Sequence, residues 1–260
     1  MAFQPVREWP ERYRRRLACP TTPTSPSRTG HRPLTSPSSL HRALIKPLLL
    51  GLVAVLLALG FAHLGIEVGE GDSLGFDLFF ARSAQALRVA HPWLADVLRD
   101  WSGLGSTSVL ALFAVNTTGY LALNAAWATA AVVGSWTLAG TLLVNTFKDA
   151  FGRSRPGVAL TDLVTVGPSF PSGHAGMSAI IFLTAGTLLA STRPRRPERA
   201  YILLVSALLA MLVGVSRVGL GVHWATDVLD GWAFGVAWAI AGLLLSQLLA
   251  SRGTARGRLA

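Results

Sequence analysis

Three short polar clusters interrupt an otherwise apolar sequence of 260 residues. They occupy residues 148–156, 171–174 and 216–227, and each stands beside an apolar run. Their cations can hold a phosphate group, and their two histidines can act as nucleophile or proton donor. Ionisable groups beside membrane-length apolar runs are functional candidates, so the clusters indicate phosphoryl transfer. The candidate residues are Lys148, Arg155, Ser172, Gly173, His174, Arg217, His223 and Asp227.

His223 and Asp227 stand four residues apart in the third cluster. On a helix, residues at this spacing lie on one face, so the carboxylate can accept a hydrogen bond from one imidazole nitrogen. The other nitrogen is then left to attack phosphorus, with the carboxylate orienting the ring as in a catalytic triad. The alternative is an ion pair at the membrane interface that takes no part in chemistry.

Lys148 and Arg155 bracket a turn that Pro156 closes. Arginine can bind a phosphate through two hydrogen bonds and lysine can bind it as a point charge, so the pair suits phosphate binding. The alternative is a pair of cations that extend from a helix end to the interface. Arg153, which lies between them, is interpreted as a residue on the rim of the site.

Ser172 precedes an apolar run, at a position where serine commonly caps a helix. Gly173 follows, and glycine lets the backbone approach a ligand closely. Free N–H groups at a helix N-terminus bind anions, so this cluster is a second candidate for phosphate contact. The alternative is an ordinary helix cap followed by an incidental histidine, His174.

No set of metal ligands is apparent in the sequence. His174 and His223 lack carboxylate partners at ligand spacing, because Asp227 is assigned to His223. The cations of the site can neutralise a phosphate without Mg²⁺, so no metal and no cofactor is expected. Asp230, which lies three residues after Asp227, is interpreted as affecting only hydration.

In this order, the clusters resemble the signatures K-x6-R-P, P-S-G-H and S-R-x5-H-x3-D of the type 2 phosphatidic acid phosphatase superfamily. The resemblance extends from about Leu44 to Ala250, and every signature position is matched. It implies a membrane lipid phosphatase in which the histidine of P-S-G-H, here His174, protonates the leaving group. The matched residues are Lys148, Arg155, Pro156, Pro171, Ser172, Gly173, His174, Ser216, Arg217, His223 and Asp227.

The composition is typical of a polytopic membrane protein. Hydrophobic residues make up 51% of the chain and charged residues only 14%, against about 25% charged in an ordinary soluble domain. The net charge of +10 arises largely from cations near the termini and in residues 193–199. This placement follows the positive-inside pattern, and no folded basic motif is visible, so no nucleic-acid partner is expected.

Six apolar segments are long enough to cross a bilayer, which predicts an all-α bundle of six transmembrane helices. Residues 65–106, between the first two segments, carry apolar residues at helical intervals that Pro92 interrupts. They predict one or two interfacial amphipathic helices, which serve either as a lipid-access platform or as a simple connection. The expected spans are 43–64, 107–123, 126–147, 172–191, 200–215 and 223–250.

The charge pattern divides the chain into three parts. We expect a disordered basic cytoplasmic tail over residues 1–42, a membrane phosphatase domain over 43–250 and a basic cytoplasmic tail over 251–260. With both termini inside, six spans place all three clusters on the other face. The expected location is the cell (inner) membrane, with the active site on the non-cytoplasmic side.

The expected reaction is hydrolysis of a lipid phosphate or diphosphate through a phosphohistidine intermediate. Resemblance to compact bacterial members of the family favours undecaprenyl diphosphate, with phosphatidylglycerophosphate and phosphatidate as alternative substrates. Transfer of the phosphoryl group to a second lipid is an alternative to hydrolysis. A lipid transporter or scaffold with a dead site is the non-enzymatic alternative, against which the complete signatures argue. No feature indicates the oligomeric state.

Overall fold

The computed structural model describes residues 37–157, 159–161, 163 and 165–256. Most of the expected N-terminal tail and residues 257–260 lie outside the described residues, and the remaining positions of both expected tails belong to the first and last helices. The described part of the chain contains eight helices joined by turns and loops. They are α1 Pro37–Glu70, α2 Leu74–Ala90, α3 Trp93–Gly103, α4 Thr107–Leu123, α5 Trp127–Phe151, α6 Gly173–Ser191, α7 Arg196–Gly219 and α8 Ala225–Arg256.

Within the described residues, six helical segments are long and apolar enough to cross a membrane, which confirms the predicted all-α, six-span architecture. The differences lie at the ends, because a helix can continue into polar residues where hydropathy falls. The first segment reaches Glu70 rather than residue 64, and the second starts at Trp93 because only residues 104–106 separate α3 from α4. The six segments are Ile45–Glu70, Trp93–Leu123, Trp127–Phe151, Gly173–Ser191, Arg196–Gly219 and Ala225–Leu249.

α6 lies at the centre of the bundle and packs against α7 and α8. Glycines bring α6 and α8 together: a Cβ atom added at Gly235 would lie 2.5 Å from the carbonyl oxygen of Gly176, and one at Gly231 would lie 2.7 Å from that of Ser172. Small residues allow this close approach between membrane helices. The packing therefore draws the start of α6, with the second cluster, against the start of α8, with the third.

α2 is amphipathic, as predicted for this segment, but two of its three charged residues face inward. Asp77 and Arg88 are buried, whereas the Phe79 side chain is 65% exposed on the opposite face. Arg88 donates hydrogen bonds to the carbonyl oxygens of Gly219 and Leu160. The aromatic face of α2 is thus exposed, and its polar face contacts the segments that carry the clusters.

Antiparallel connections gather the three clusters at one end of the bundle. α5 and α7 end on the side where α6 and α8 begin, and the cationic loop 193–199 lies at the other end of α6 and α7. Gly221 makes the sharp turn from α7 to α8 with a φ angle of +70°. A Cβ atom at this position would collide with the carbonyl oxygen of Leu160, so the turn requires glycine.

Candidate active site

The eight candidate residues come together from the end of α5 and the loop after it, the start of α6, the end of α7, the turn that follows it and the start of α8. The N–H group of Ser172 donates a 2.9 Å hydrogen bond to the carbonyl oxygen of Asp227, which joins the second cluster to the third. His174 is the second residue of α6. The cations close enough to act on it electrostatically are Arg217, Arg155 and Lys148.

His223 and Asp227 contact each other as the sequence spacing predicts, with Nδ1 of the imidazole 3.3 Å from Oδ2 of the carboxylate. Oδ2 also accepts a 3.0 Å hydrogen bond from the N–H group of Trp224, and Oδ1 accepts one of 2.6 Å from Arg153. The expectation that both residues lie on the helix is wrong, because α8 begins only at Ala225. Asp227 reaches back from the first turn of α8 to a histidine in the preceding turn.

His223 is held in a single tautomer and is only 2% exposed. Its Nε2 lies 3.1 Å from Nη1 of Arg155, and since arginine can only donate, Nε2 carries the lone pair and Nδ1 the proton. Burial lowers the pKa of His223 to about 4, against the hydrogen bond and charge of Asp227. The imidazole is therefore neutral at pH 7, and the lone pair of Nε2 faces the guanidinium of Arg155.

Lys148 and Arg155 face the site and also hold the surrounding loops. Lys148 Nζ donates a 2.9 Å hydrogen bond to the carbonyl oxygen of Pro168. Arg155 donates one of 2.8 Å to the carbonyl oxygen of Val222 in the turn before α8. Lys148 thus ties the end of α5 to the loop that follows it, whereas Arg155 links that loop to the turn that carries His223.

Two polar atoms of the site are buried without a hydrogen-bond partner among the described residues: Ser172 Oγ and Arg217 Nε. Ser172 occupies the N-cap position of α6, but its hydroxyl does not make the capping bond that the sequence predicts. An unsatisfied buried group costs about 1–3 kcal/mol, which the oxygens of a bound anion would recover. Arg217 is aimed by Ser102 of α3, whose Oγ accepts a 2.6 Å hydrogen bond from Nη1.

Arg153 links two buried carboxylates, and its interpretation as a rim residue is wrong. Its side chain is 14% exposed and forms ion pairs of 2.6 Å with both Asp77 and Asp227. Asp77 comes from α2, and nothing in the local sequence of the first cluster indicates this partner. The one available signal was the presence of a third cation at an end of the bundle where the positive-inside pattern predicts few.

Asp230 is also buried, so its interpretation as a residue that affects only hydration is wrong. Neither of its carboxylate oxygens has a hydrogen-bond partner in the described part of the chain. No group of three or more His, Cys, Asp or Glu residues among the described positions is placed to hold a metal ion.

An apolar groove of about 520 Å³ opens between α4, α5 and α6 and ends at Lys148 and His174. Its volume lies within the range of about 300–1,000 Å³ that is usual for sites of small ligands. The cationic end adjoins the phosphate-binding candidates, whereas the walls suit hydrocarbon. The apolar side chains of the walls include Leu110, Val115, Leu138, Val144, Met177 and Ile181.

The sequence matches the model of the PAP2 superfamily over residues 109–250, more than half of the chain. Phosphatidylglycerophosphatase B of Bacillus subtilis (strain 168) is 32% identical over 161 residues, which are 60% of this chain and 77% of that protein. The undecaprenyl-diphosphatase of Sulfolobus acidocaldarius is 39% identical over 67 residues, which are 26% of this chain and 28% of that protein.

Two crystal structures share the fold. The transmembrane PAP2-type phosphatidylglycerolphosphate phosphatase from Bacillus subtilis superposes with a TM-score of 0.69 at 26% identity, over 75% of this chain and 96% of that chain. LpxE of Aquifex aeolicus superposes with a TM-score of 0.50 at 27% identity, over 65% and 94% of the two chains. With six apolar spans and the complete set of signature residues at one end of the bundle, the chain belongs to the PAP2 superfamily and is a multi-pass membrane lipid phosphatase.

Proposed function

We propose that the protein hydrolyses the phosphate monoester of phosphatidylglycerophosphate on the non-cytoplasmic face of the cell membrane. The observation that carries this substrate is the similarity to phosphatidylglycerophosphatase B, which extends over 77% of that protein. The similarity to an undecaprenyl-diphosphatase is higher in identity but extends over only 28% of its length. The sequence-based preference for undecaprenyl diphosphate therefore gives way to the alternative, and undecaprenyl diphosphate becomes the second candidate.

In the first step, Lys148, Arg155 and Arg217 neutralise the phosphate, and Ser172 Oγ donates a hydrogen bond to it. His223 Nε2 attacks phosphorus while the bond from phosphorus to the lipid oxygen breaks. The electron pair of that bond leaves with the lipid oxygen, which takes a proton from His174. The Asp227 carboxylate stabilises the positive charge that develops on the attacking imidazole.

In the second step, water attacks the phosphohistidine and His174, now neutral, takes a proton from it. The bond between phosphorus and Nε2 breaks, its electron pair returns to the imidazole of His223, and phosphate leaves. A lipid hydroxyl in the place of water would make the same site a phosphotransferase. The two outcomes differ only in the acceptor that reaches the phosphohistidine.

The groove between α4, α5 and α6 supports a substrate that stays in the membrane during the reaction. Its walls are mainly apolar and its lining includes Lys148 and His174, so acyl chains would occupy the groove with the phosphate at the candidate site. This geometry accounts for the use of a lipid rather than a water-soluble ester.

The substrate is tested by phosphate release from phosphatidylglycerophosphate, phosphatidate and undecaprenyl diphosphate, with purified protein in detergent micelles. We expect the highest kcat/KM for phosphatidylglycerophosphate, whereas a higher value for undecaprenyl diphosphate would establish the second candidate. Radiolabel in a second lipid instead of free phosphate would identify a transferase. Activity should persist in EDTA because lysine and arginine supply the charge; a complete loss that Mg²⁺ restores would overturn this assignment.

The orientation is tested in intact cells with single cysteines and an impermeant thiol reagent, after replacement of Cys19, the one cysteine of the chain. Val166→Cys marks the exposed loop beside the candidate site, and Thr192→Cys marks the opposite end of α6. We expect labelling of the first cysteine and protection of the second. Labelling of the second alone would reverse the orientation.

A further inference from the structure

Behind His223 and Asp227 lies a layer of polar residues, none of which occupies a fixed position of the three signatures. Arg153 is its centre. Its Nη1 lies 2.6 Å from Oδ1 of Asp227 and 2.8 Å from the hydroxyl of Thr226, and its Nη2 lies 2.6 Å from Oδ2 of Asp77. A single guanidinium therefore connects the carboxylate of α2 to the carboxylate of α8.

Asp77 fixes the start of α8 as well as the arginine. Its Oδ1 accepts a 2.9 Å hydrogen bond from the N–H group of Thr226, and its Oδ2 accepts one of 2.7 Å from the hydroxyl of the same residue. The first N–H groups of a helix lack intrahelical partners, and the helix dipole favours an anion there. Asp77, which belongs to α2, thus caps α8 at Thr226, the residue before Asp227.

We propose that Asp77 and Arg153 are positioning residues that set the rotamer of Asp227 and, through it, the ring of His223. This inference rests on the proposed phosphohistidine function. Arg153 holds Oδ1 of Asp227, so that Oδ2 is left to face Nδ1 of His223 and the N–H group of Trp224. Without the arginine, two buried carboxylates would lie close together with no cation between them, and Asp227 would lose its fixed orientation.

The layer requires arginine rather than any cation. The planar fork of a guanidinium can reach two carboxylates at once, whereas a lysine ammonium is a point charge. The indole of Trp224 packs near the guanidinium, with its ring centroid 5.7 Å from Cζ of Arg153. Trp224 is itself held by a 2.8 Å hydrogen bond from Nε1 to the carbonyl oxygen of Ser154, so the position of the fork is determined on two sides.

The test compares Arg153→Lys, Arg153→Gln and Asp77→Asn in the full-length protein, purified in detergent and assayed with phosphatidylglycerophosphate. We expect kcat to fall on the order of 10- to 100-fold, because the nucleophile is misplaced while the phosphate-binding cations are intact. The vanadate inhibition constant should change by less than about threefold for the same reason. The control is Asp96→Asn, which removes an exposed ion pair with Arg99 on α3 and should leave kcat within about twofold.

The Asp227→Asn background separates positioning from a general structural role. If Arg153 acts through Asp227, then adding Arg153→Lys to Asp227→Asn should reduce kcat by less than about threefold further. Losses that multiply would overturn the inference, and so would a wild-type kcat in both Arg153→Lys and Asp77→Asn. If Arg153→Gln does not fold, the same comparison can be made with Asp77→Asn: adding it to Asp227→Asn should likewise reduce kcat by less than about threefold further.

Failure of the proposed function would look different from failure of this inference. If His223→Ala or Asp227→Asn keeps the wild-type kcat, the phosphohistidine function is wrong and the positioning role falls with it. If Asp227→Asn is impaired but the Arg153 and Asp77 variants are not, only the positioning role is wrong. We expect kcat to be lower in all of these variants, and the losses caused by Arg153→Lys and Asp227→Asn not to multiply in the double variant.

Discussion

The starts of α6 and α8 face each other across the active site, but their polar atoms are satisfied to opposite degrees. At α8, both oxygens of Asp227 are taken by His223, the Trp224 N–H group and Arg153. At α6, the hydroxyl of Ser172 has no partner in the described part of the chain, and His174 borders the apolar groove. The Asp227 carboxylate at the start of α8 is satisfied without a ligand, whereas the Ser172 hydroxyl at the start of α6 is not.

In the proposed mechanism, the difference corresponds to two tasks within one reaction. A nucleophile benefits from groups that are oriented before the substrate arrives, since no reorganisation is then needed during attack. An anion site needs donors that the protein itself leaves unused, and buried unsatisfied atoms in native structures commonly mark such places. Changes at the start of α8 should therefore affect the rate, and changes at the start of α6 should affect phosphate binding and departure of the leaving group.

The largest expected effect is that of His223→Ala, which removes the proposed nucleophile. No phosphoenzyme should form, and turnover should fall to background with every substrate. Rapid quench with radiolabelled substrate, followed by mapping of acid-labile phosphohistidine, measures this directly. Label on His174 would reverse the roles of the two histidines, and turnover near the wild-type rate would exclude His223 as the nucleophile.

Asp227→Asn should leave the nucleophile in place but without its orienting carboxylate. We expect kcat to fall by up to about 10⁴-fold, as in triads that lose their carboxylate, while the vanadate inhibition constant stays nearly unchanged. Steady-state kinetics and vanadate titration on one preparation test both parts. Equal losses in kcat and in vanadate affinity would mean that the start of α8 also forms the anion site.

His174→Ala should depend on the leaving group in a way that His223→Ala does not. With a lipid alkoxide, which needs a proton to depart, we expect a loss of about 10³-fold in kcat. With an activated aryl phosphate the loss should be below about tenfold, because that leaving group departs unprotonated. A matched comparison of the two histidine variants on both substrates tests this. The same loss on both would contradict the role of proton donor.

Ser172→Ala should weaken anion binding without destabilising the fold. The hydroxyl has no partner among the described residues, so its loss should leave the midpoint of thermal unfolding unchanged. The vanadate inhibition constant should rise by about tenfold, the value of one hydrogen bond to a charged group. A lower unfolding midpoint with unchanged vanadate affinity would instead assign Ser172 a structural role.

The smallest expected effect is on the pH profile. Burial lowers the pKa of His223 to about 4 from an ordinary 6.5, and protonation would remove the attacking lone pair. Between pH 7 and pH 5, kcat/KM of the wild type should therefore show no loss, within the precision of the assay, that arises from an enzyme group titrating near pH 6.5. In Asp227→Asn the acidic limb should move to lower pH, because the carboxylate raises the His223 pKa. Dividing kcat/KM of Asp227→Asn by that of the wild type at each pH cancels the titration of the substrate. An acidic limb of the wild-type enzyme near pH 6.5 would contradict the buried, neutral imidazole.

Local features of the sequence were sufficient for the spans and for part of the site. Hydropathy predicted six helices because an apolar segment that crosses a bilayer must hydrogen-bond its backbone groups internally, which a helix does whatever its neighbours are. The contact between His223 and Asp227 was predictable because four residues of chain allow few other arrangements. It formed even though α8 begins two residues after the histidine.

The residues that support the site were decided by the tertiary structure alone. Arg153 and Asp77 are 76 residues apart, and Arg217 and Ser102 are 115 apart. From sequence alone, a charged residue without a local partner is placed on the surface, because burying it is unfavourable unless another part of the fold supplies an ion-pair partner. The inward polar face of α2 exists for that reason: its partners are created by the packing of α2 against α7 and α8, and no single segment contains them.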